Sequence, residues 1–418
     1  DYASRAPELA GSLLGASAPK TYLILGQDNA EPRATGGFVG VMGPIELSAG
    51  RVTHTDFRSS YDWDDDPRLT PLAPPQALQR YMNSGAWFLR DANWWPDFRQ
   101  SAGQVETLWT HRQGGPVDGV IAVDLQALDD LLVAVDGVDV PELGGHVTAG
   151  TAEDEIEKRR ATRQALASYA DYQRTKTELL SALYRALLAR LLAPAPEQLP
   201  GIAAVVAHDL QTKHLMLEFD DPQLAAVAAG QAWDGRLSAQ DESSLAIFDT
   251  ELSYGKLGPY ISKEARYEVG PGGRANLSIT YGNSFRPTPG AAWDPFISGL
   301  HWDWQKRQFL QEQGAWLGYI RVVVPGGTRL EAGSGWDDQV ATTDDVPGST
   351  TFAAPLLLEP GQSRTVSLQY QLPAALSPDS LTAIAQPGAR PFSLNARLPA
   401  YTQSIVLDGR DVRLEPPR

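Results

Sequence analysis

YLILGQDNAEPRATGGFV, residues Tyr22 to Val39, is the stretch from which the fold is predicted. Its four apolar residues Tyr22–Leu25 are typical of a short buried strand. The residues that follow are polar and include Glu31 and Arg33, and the sequence becomes apolar again at Phe38. α/β proteins commonly place a ligand in a polar loop that follows a strand. The alternative is a hairpin whose glycines serve only the turn.

Gly36 and Gly37 lie near the end of this stretch. Glycine permits the backbone to approach a ligand closely, and exposed N–H groups in such a turn can face an anion. The pair therefore indicates either a phosphate-binding loop or an ordinary turn. The local pattern leaves both interpretations open.

Composition indicates a folded protein of about two domains, at roughly 150 residues per domain for 418 residues. Hydrophobic residues make up 42% of the chain, which is ample for real cores. The 35 Lys and Arg against 51 Asp and Glu give a net charge of -16, which argues against nonspecific nucleic-acid binding. The chain has no cysteine, which excludes disulfides, thiolate metal sites and cysteine nucleophiles.

Two regions of different character follow one another along the chain. Up to residue 254, strand patterns alternate with helical ones, as in the strand Val117–Val123 and the helix Leu125–Val135, which predicts a layered α/β domain with a central sheet flanked by helices. From residue 255 to 418, short alternating strands separated by Pro-Gly turns predict an antiparallel, immunoglobulin-like β-sandwich. No stretch approaches the ~20 apolar residues that span a bilayer.

Several kinds of active site are not indicated. The chain has no GxxxxGK[ST] loop, no GxSxG elbow, and no pair of histidines at HExxH spacing. What remains is a set of charged and amide side chains near predicted strand ends and on the long predicted helix. The set comprises Glu31, Arg33, Asp56, Arg58, Arg90, Asp91, Asn93, Arg163, Arg174 and Lys176.

This set suits a pyrophosphate ligand, because arginine binds phosphate bidentately and carboxylates hold Mg²⁺, which also bridges phosphate oxygens. Each member has a structural alternative. Arg90 and Asp91 can form a local ion pair, and Arg174 and Lys176 can lie on a solvated helix face. The acidic run Asp64–Asp66 is expected to be a solvated loop.

Three strings resemble a known family: NAEPRATGGF at 29–38, WFLRDANWWPDF at 87–98 and VDGVIAVDLQALDDLL at 117–132. They are similar to the bacterial extracytoplasmic family catalogued as domain of unknown function 4012, over roughly residues 20–335. In that family an N-terminal membrane anchor commonly precedes the domain. The resemblance therefore implies a cell-surface or membrane-anchored location in a bacterium.

That family in turn distantly resembles the LytR-CpsA-Psr enzymes, which transfer glycopolymers from polyprenyl-pyrophosphate carriers onto the cell wall. The resemblance implies pyrophosphate ligands Arg33, Arg58, Arg90, Asn93, Arg174 and Lys176, catalytic Asp91 and Glu31, and Mg²⁺ held by Asp56 and Asp91. One departure concerns the acid that those enzymes carry after the loop arginine. Here Ala34–Gly37 occupies that place. Whether the chain catalyses Mg²⁺-dependent transfer is therefore left open.

Two principal hypotheses follow. The first is an extracytoplasmic protein that binds a polyprenyl-linked or phosphorylated glycan, with a cell-wall polymer as acceptor if transfer occurs. The second is a non-catalytic surface scaffold, adhesion or glycan-binding module whose arginines and acids are structural. A carbohydrate site built on tryptophans such as Trp94, Trp95, Trp302 and Trp304 is a weaker third hypothesis.

Overall fold

The computed structural model describes residues 2–65, 70–112, 114–152, 155, 169–237, 243–288 and 297–416, with the side chains of 2–7 and 169–177 left out. The helices are α1 (Tyr2–Leu13), α2 (Ser60–Asp64), α3 (Gln76–Met82), α4 (Phe98–His111), α5 (Leu125–Ala134), α6 (Tyr169–Leu192), α7 (Leu199–Gln211) and α8 (Pro222–Gly230). Within these ranges, no helix combines the length and apolar character that a membrane span requires.

The strands fall into two groups along the chain. The first group is β1 (Lys20–Arg33), β2 (Gly36–Ser48), β3 (Arg51–Thr55), β4 (Arg58–Ser59), β5 (Gly119–Asp124), β6 (Val138–Val140), β7 (Gly145–Val147) and β8 (Leu215–Phe219). The second group is β9 (Ser244–Glu251), β10 (Ile261–Val269), β11 (Arg274–Asn283), β12 (Leu300–Asp303), β13 (Gln308–Gln311), β14 (Trp316–Pro325), β15 (Arg329–Ser334), β16 (Ala341–Thr343), β17 (Ser349–Leu358), β18 (Ser363–Gln371), β19 (Leu381–Ile384), β20 (Phe392–Arg397), β21 (Thr402–Leu407) and β22 (Val412–Leu414).

The first sheet has the order β3-β2-β1-β5-β8, with β4 paired to β2. β1 and β5 are parallel, and the other pairs are antiparallel. Side chains of β1 alternate between two cores, as a pleated strand requires. Tyr22 and Ile24 pack with α5, α6 and α8, while Leu23 and Leu25 pack with α3 and α4. The predicted α/β class, with a central sheet between helices, agrees with this arrangement.

The polar half of the opening stretch is a strand, which corrects the predicted loop. β1 continues to Arg33 and pairs with β2 back to the turn at Ala34–Thr35, with register shifts after Gly26 and between Asp28 and Pro32. The alternative interpretation of a hairpin is therefore the one observed. The polar residues remain in a strand because their side chains find charged partners elsewhere in the chain.

The second group of strands forms two six-stranded sheets, β15-β18-β11-β10-β20-β21 and β16-β17-β14-β9-β19-β22. Buried residues of both sheets share one hydrophobic core, with Ile320 and Val322 from one sheet and Leu277 and Leu368 from the other. Two pairs, β10 with β20 and β9 with β19, are parallel, so the prediction of a purely antiparallel arrangement is wrong. We call these two sheets the β part and the preceding residues the α/β part.

Strand pairing gives the β part an earlier start than the predicted boundary between residues 254 and 255. β9 pairs with β14 and β19 and so belongs to the β part, which begins near Ser244. Every residue of β14 is buried, because its two faces belong to different cores. Ile320 faces the core of the β part, whereas Leu317 and Tyr319 pack with Trp94 and Phe98 of the α/β part. The aromatic segment at 87–98 therefore lies in a core that both parts share.

Candidate functional site

Arg33 lies at the end of β1, and its guanidinium is buried where the α/β part meets the β part. We call this region the joint. Arg33 donates from Nη2 to Glu31 Oε1 at 2.9 Å, and its Nε and Nη2 each donate to Asp91 Oδ1 at 3.3 Å. Its Nη1 donates to the carbonyl oxygen of Glu251 in β9 at 3.0 Å. Only 3% of the side chain is exposed, so these protein groups occupy the guanidinium that was predicted to bind pyrophosphate.

Two further contacts fix the backbone of the same turn to the β part. The side-chain amide of Gln386 donates to the carbonyl oxygen of Arg33 at 2.9 Å and to that of Asp249 at 2.7 Å. Gly388 packs against Gly36: a Cβ added to Gly388 would lie 3.0 Å from the Cα of Gly36. The opening hairpin is therefore a structural joint.

Two carboxyl groups near Arg33, those of Glu31 and Glu251, resist ionisation. Burial raises the pKa of Glu31 to about 7, although Arg33 opposes the shift. Burial also raises the pKa of Glu251 well above its ordinary value, and the neighbouring Glu31 adds to the effect. Glu251 Oε1 accepts a hydrogen bond from Ser253 Oγ at 2.8 Å. In a low-dielectric site a single guanidinium stabilises only part of this negative charge.

Asp64, expected in a solvated loop, is instead a buried ligand of two arginines. Its Oδ2 accepts from Arg90 Nη1 at 3.0 Å, and its Oδ1 lies 3.0 Å from Arg112 Nε. Oδ1 also accepts from the backbone N–H of Leu89 at 2.8 Å, which fixes the turn that carries Arg90. Burial raises the pKa of Asp64 in spite of both arginines. One carboxylate thus compensates two guanidiniums.

Arg90 lies between two aromatic rings and keeps one edge open. Its Cζ is 3.7 Å from the ring centroid of Phe88 and 4.7 Å from that of Tyr61. Its Nε is 4.0 Å from Asp91 Oδ2, so the expected local ion pair is a long one. Within the described ranges no hydrogen bond occupies Nη2, and 18% of the side chain is exposed. Stacking holds the guanidinium in place while that edge can meet a ligand.

Arg58 occupies the neighbouring surface. Its Nε donates to Asp56 Oδ1 at 2.7 Å, and a second hydrogen bond joins Nη2 to Asp56 Oδ2. The guanidinium also lies over the ring of Trp63, 4.4 Å from its centroid. Half of the Arg58 side chain is exposed. Arg58 and Arg90 therefore contact two rings of the same short helix, α2.

Asn93 is buried and holds the glycine turn. Its Nδ2 donates to the carbonyl oxygens of Thr35 at 3.3 Å and Gly37 at 2.8 Å. A Cβ added at Gly37 would lie 2.0 Å from the carbonyl oxygen of Asp28, so glycine is required here by the close approach of two strands. This packing explains the glycine without a phosphate.

The remaining predicted residues are three on the long predicted helix and the two predicted Mg²⁺ ligands. The side chains of Arg174 and Lys176 lie outside the described residues, although their backbone belongs to α6, and Arg163 lies outside them altogether. Asp56 and Asp91, predicted to hold Mg²⁺, each accept hydrogen bonds from an arginine. Among the described residues no three His, Asp or Glu side chains gather as a metal site requires. Mg²⁺ stays a prediction.

Sequence reasoning missed Asp64, Arg112 and Glu251 as members of this network. Asp64 lies in an acidic run, which favours a solvated loop. Its pairing with Arg112 depends on the end of α4, 48 residues later in the chain. Glu251 follows an apolar strand pattern and is 218 residues from the arginine that it contacts. A single sequence contains no signal for such distant pairs.

Comparisons with known proteins give one family match. Residues 17–160 match the model of a family described as "Protein of unknown function (DUF4012)". No curated protein matches the chain.

Solved structures give weaker likenesses. A LytR-Csp2A-Psr enzyme from Actinomyces oris is 19% identical, with 52% of this chain and 76% of that chain covered and a TM-score of 0.32. B. subtilis TagV is 14% identical, with coverages of 52% and 80% and a TM-score of 0.29. TagT, in a structure bound to LIIa-WTA, is 12% identical, with coverages of 53% and 76% and a TM-score of 0.29. At these TM-scores the matches do not bear on function.

The family resemblance inferred from the three strings is thus confirmed where the family model matches, and LytR-CpsA-Psr enzymes are among the structural neighbours. Residues 17–160 of this chain are similar to the family of unknown function DUF4012.

Proposed function

We propose that this is an extracytoplasmic protein of the bacterial cell envelope that binds a phosphorylated or polyprenyl-pyrophosphate-linked glycan without transferring it. Arg90 is the residue that engages the phosphate. The main support for the proposal is the position of the Arg90 guanidinium, which is stacked between Phe88 and Tyr61 and has no hydrogen bond at Nη2 within the described residues. A guanidinium fixed in this way loses little freedom when it binds an oxyanion.

The charge around Arg90 supports an anionic ligand. Arg33, Arg90 and Arg112 form one network with Asp64, Asp91 and Glu31. Glu31 has a pKa of about 7, so below that pH it is protonated and three guanidiniums face two carboxylates. A phosphate group would neutralise the remaining positive charge.

Binding without transfer is proposed because the two predicted bases are already engaged. Asp91 and Glu31 both accept hydrogen bonds from Arg33 at the joint. A general base must reach the proton of the attacking hydroxyl, and a carboxyl group that already accepts a hydrogen bond from a buried guanidinium is poorly accessible to a substrate.

Isothermal titration with farnesyl pyrophosphate, with and without Mg²⁺, tests the proposal. The wild-type protein should bind, and Arg90→Gln should weaken binding by about tenfold or more, as expected for a charge-assisted contact. Arg266→Gln is the matched control, because Arg266 is exposed in β10 of the β part. No measurable binding by the wild-type protein, or equal binding by Arg90→Gln, would remove the proposal.

A structural scaffold is the second candidate function. The observation that favours it is the Arg33 joint, in which side chains predicted to bind ligand connect the α/β part to the β part. This candidate requires only rigidity of the joint and no ligand at Arg90. The same titration separates the two candidates.

A further inference from the structure

The two-stranded ribbon β12–β13 carries aromatic rings on a surface that the described residues leave open. Trp302 and Phe309 are directly opposite in its register, with ring centroids 5.0 Å apart. Phe309 is 47% exposed. His301, on the alternate face, is only 3% exposed, so that face packs on the protein. The ribbon therefore presents its Trp302 and Phe309 face outward.

Tyr254 extends the pair of rings towards the α/β part. Its ring centroid is 6.3 Å from that of Phe309, and its backbone N–H donates to the carbonyl oxygen of Leu300 at 2.7 Å. Tyr254 is 40% exposed. Partial burial raises the pKa of its hydroxyl, and the charges of Asp91 and Arg90 also act on it. The row of rings thus begins on the ribbon and ends at Tyr254, which follows Glu251 by three residues. The carbonyl oxygen of Glu251 accepts from Arg33, and Arg33 donates to Asp91, the neighbour of Arg90.

We infer that Trp302, Phe309 and Tyr254 form a platform for the uncharged sugar rings of a glycan chain whose charged end lies at Arg90. This deepens the proposed function and rests on it for the nature of the ligand. Pyranose rings have apolar C–H faces that pack on aromatic side chains, and their hydroxyls need hydrogen-bonding groups nearby. The exposed Gln311, on the same face of the ribbon as Phe309, provides such a group.

A glycan fits this surface better than a lipid bilayer does. The chain has a net charge of -16, which opposes approach to an anionic membrane. Lys306, at the tip of the ribbon, is paired with Asp303 at 3.1 Å, so it contributes little net attraction. The rings also lie along one side of the ribbon and continue to a charged site, which suits an extended polar chain.

Titration with three neutral hexasaccharides (maltohexaose, cellohexaose and chitohexaose), followed by tryptophan fluorescence and calorimetry, tests this inference. At least one should bind to the wild-type protein, and Phe309→Ala should weaken that binding by about tenfold. Val406→Ala is the matched control, because Val406 is an apolar residue, 57% exposed, on β21, which belongs to a different sheet. Circular dichroism verifies that Phe309→Ala is folded.

Three results would overturn the inference: no binding of any hexasaccharide, equal affinity in Phe309→Ala, or Phe309-dependent binding to phosphatidylglycerol vesicles in place of sugar. Farnesyl pyrophosphate, titrated separately, should bind equally to the wild-type protein and Phe309→Ala. Loss of pyrophosphate binding with hexasaccharide binding intact would count against the proposed function alone.

Discussion

Arg33 and Arg90, from two of the three strings that resemble the family, are held in different ways, and burial distinguishes them. Arg33 directs its N–H groups to Glu31, Asp91 and the Glu251 carbonyl, whereas Arg90 is held mainly by aromatic stacking and one shared carboxylate. A buried guanidinium with a full set of acceptors stabilises the fold. A guanidinium with an open edge can bind a ligand.

Replacing Arg33 should destabilise the protein strongly. Arg33→Ala leaves Asp91 and Glu31 without their cation in a buried site, and breaking a buried ion pair in this way costs about 3–5 kcal/mol. Chemical denaturation measures the loss. Arg266→Ala, at an exposed position, should change the free energy of unfolding by no more than about 0.5 kcal/mol. An unchanged unfolding midpoint for Arg33→Ala would show that the joint is not held by this network.

Glu31 should make stability depend on pH. Its pKa is about 7 in the folded protein and 4.5 ordinarily, so between these values the folded state binds the extra proton. The contribution of Glu31 to the free energy of unfolding is therefore complete below pH 4.5. It is lost as the pH rises through 7, and the total loss is about 3 kcal/mol. The measurement is the free energy of unfolding of the wild-type protein and of Glu31→Gln from pH 5 to 8.

Glu31→Gln resembles the protonated side chain, so its advantage over the wild-type protein should grow as the pH rises. Other acids with raised pKa values, such as Glu106 and Glu218, are present in both proteins and cancel in the difference. A difference that stays constant over this range would mean that Glu31 is ionised throughout.

At the scale of elements, the β1–β2 hairpin depends on close contact between its strands. Gly37→Ala would place a methyl group 2.0 Å from the carbonyl oxygen of Asp28, which should cost about 1–3 kcal/mol. Gly40→Ala, in the same strand, meets nothing nearer than 3.9 Å from its Cβ and should change stability by less than about 1 kcal/mol. Thermal melting compares the two variants, and equal melting temperatures would contradict the packing role of Gly37.

The start of this hairpin could be predicted from the sequence, but its polar half could not. Tyr22–Leu25 is a strand because its residues are apolar on both faces, and that pattern is local. The residues from Asp28 to Arg33 read as a loop because they are polar and contain proline. They stay in the strand through partners such as Asp91 and Glu251, which are 58 and 218 residues away from Arg33.

At the scale of the whole molecule, the α/β part and the β part share a hydrophobic core. Leu317 and Tyr319 of β14 pack with Leu23, Trp94 and Phe98. The ring of Trp94 is stacked on that of Tyr319, with centroids 5.5 Å apart. Each part would expose this surface if it unfolded separately, so the two should unfold together. Differential scanning calorimetry should give one transition, whereas two well-separated transitions would contradict a shared core.

The division into an α/β part and a β part could be predicted from the change in periodicity, but the shared core could not. The segment 87–98 combines aromatic and charged residues, a composition equally typical of a ligand site. Its Trp94 is buried because β14 covers it, and β14 lies more than 200 residues later. The role of Arg90 as an anion ligand stays a proposal. Arg33, which was also predicted to bind the anion, lies in the joint, where its guanidinium contacts protein groups.

The most direct measurement is a crystal structure of the protein soaked with farnesyl pyrophosphate. If Arg90 is the phosphate ligand, a phosphate will lie within hydrogen-bonding distance of Arg90 Nη2, between Phe88 and Tyr61, with the Arg33 contacts to Asp91 and Glu31 unchanged. A pyrophosphate bound instead by Arg33, with Arg33 released from its carboxylates, would show that Arg90 is not the ligand.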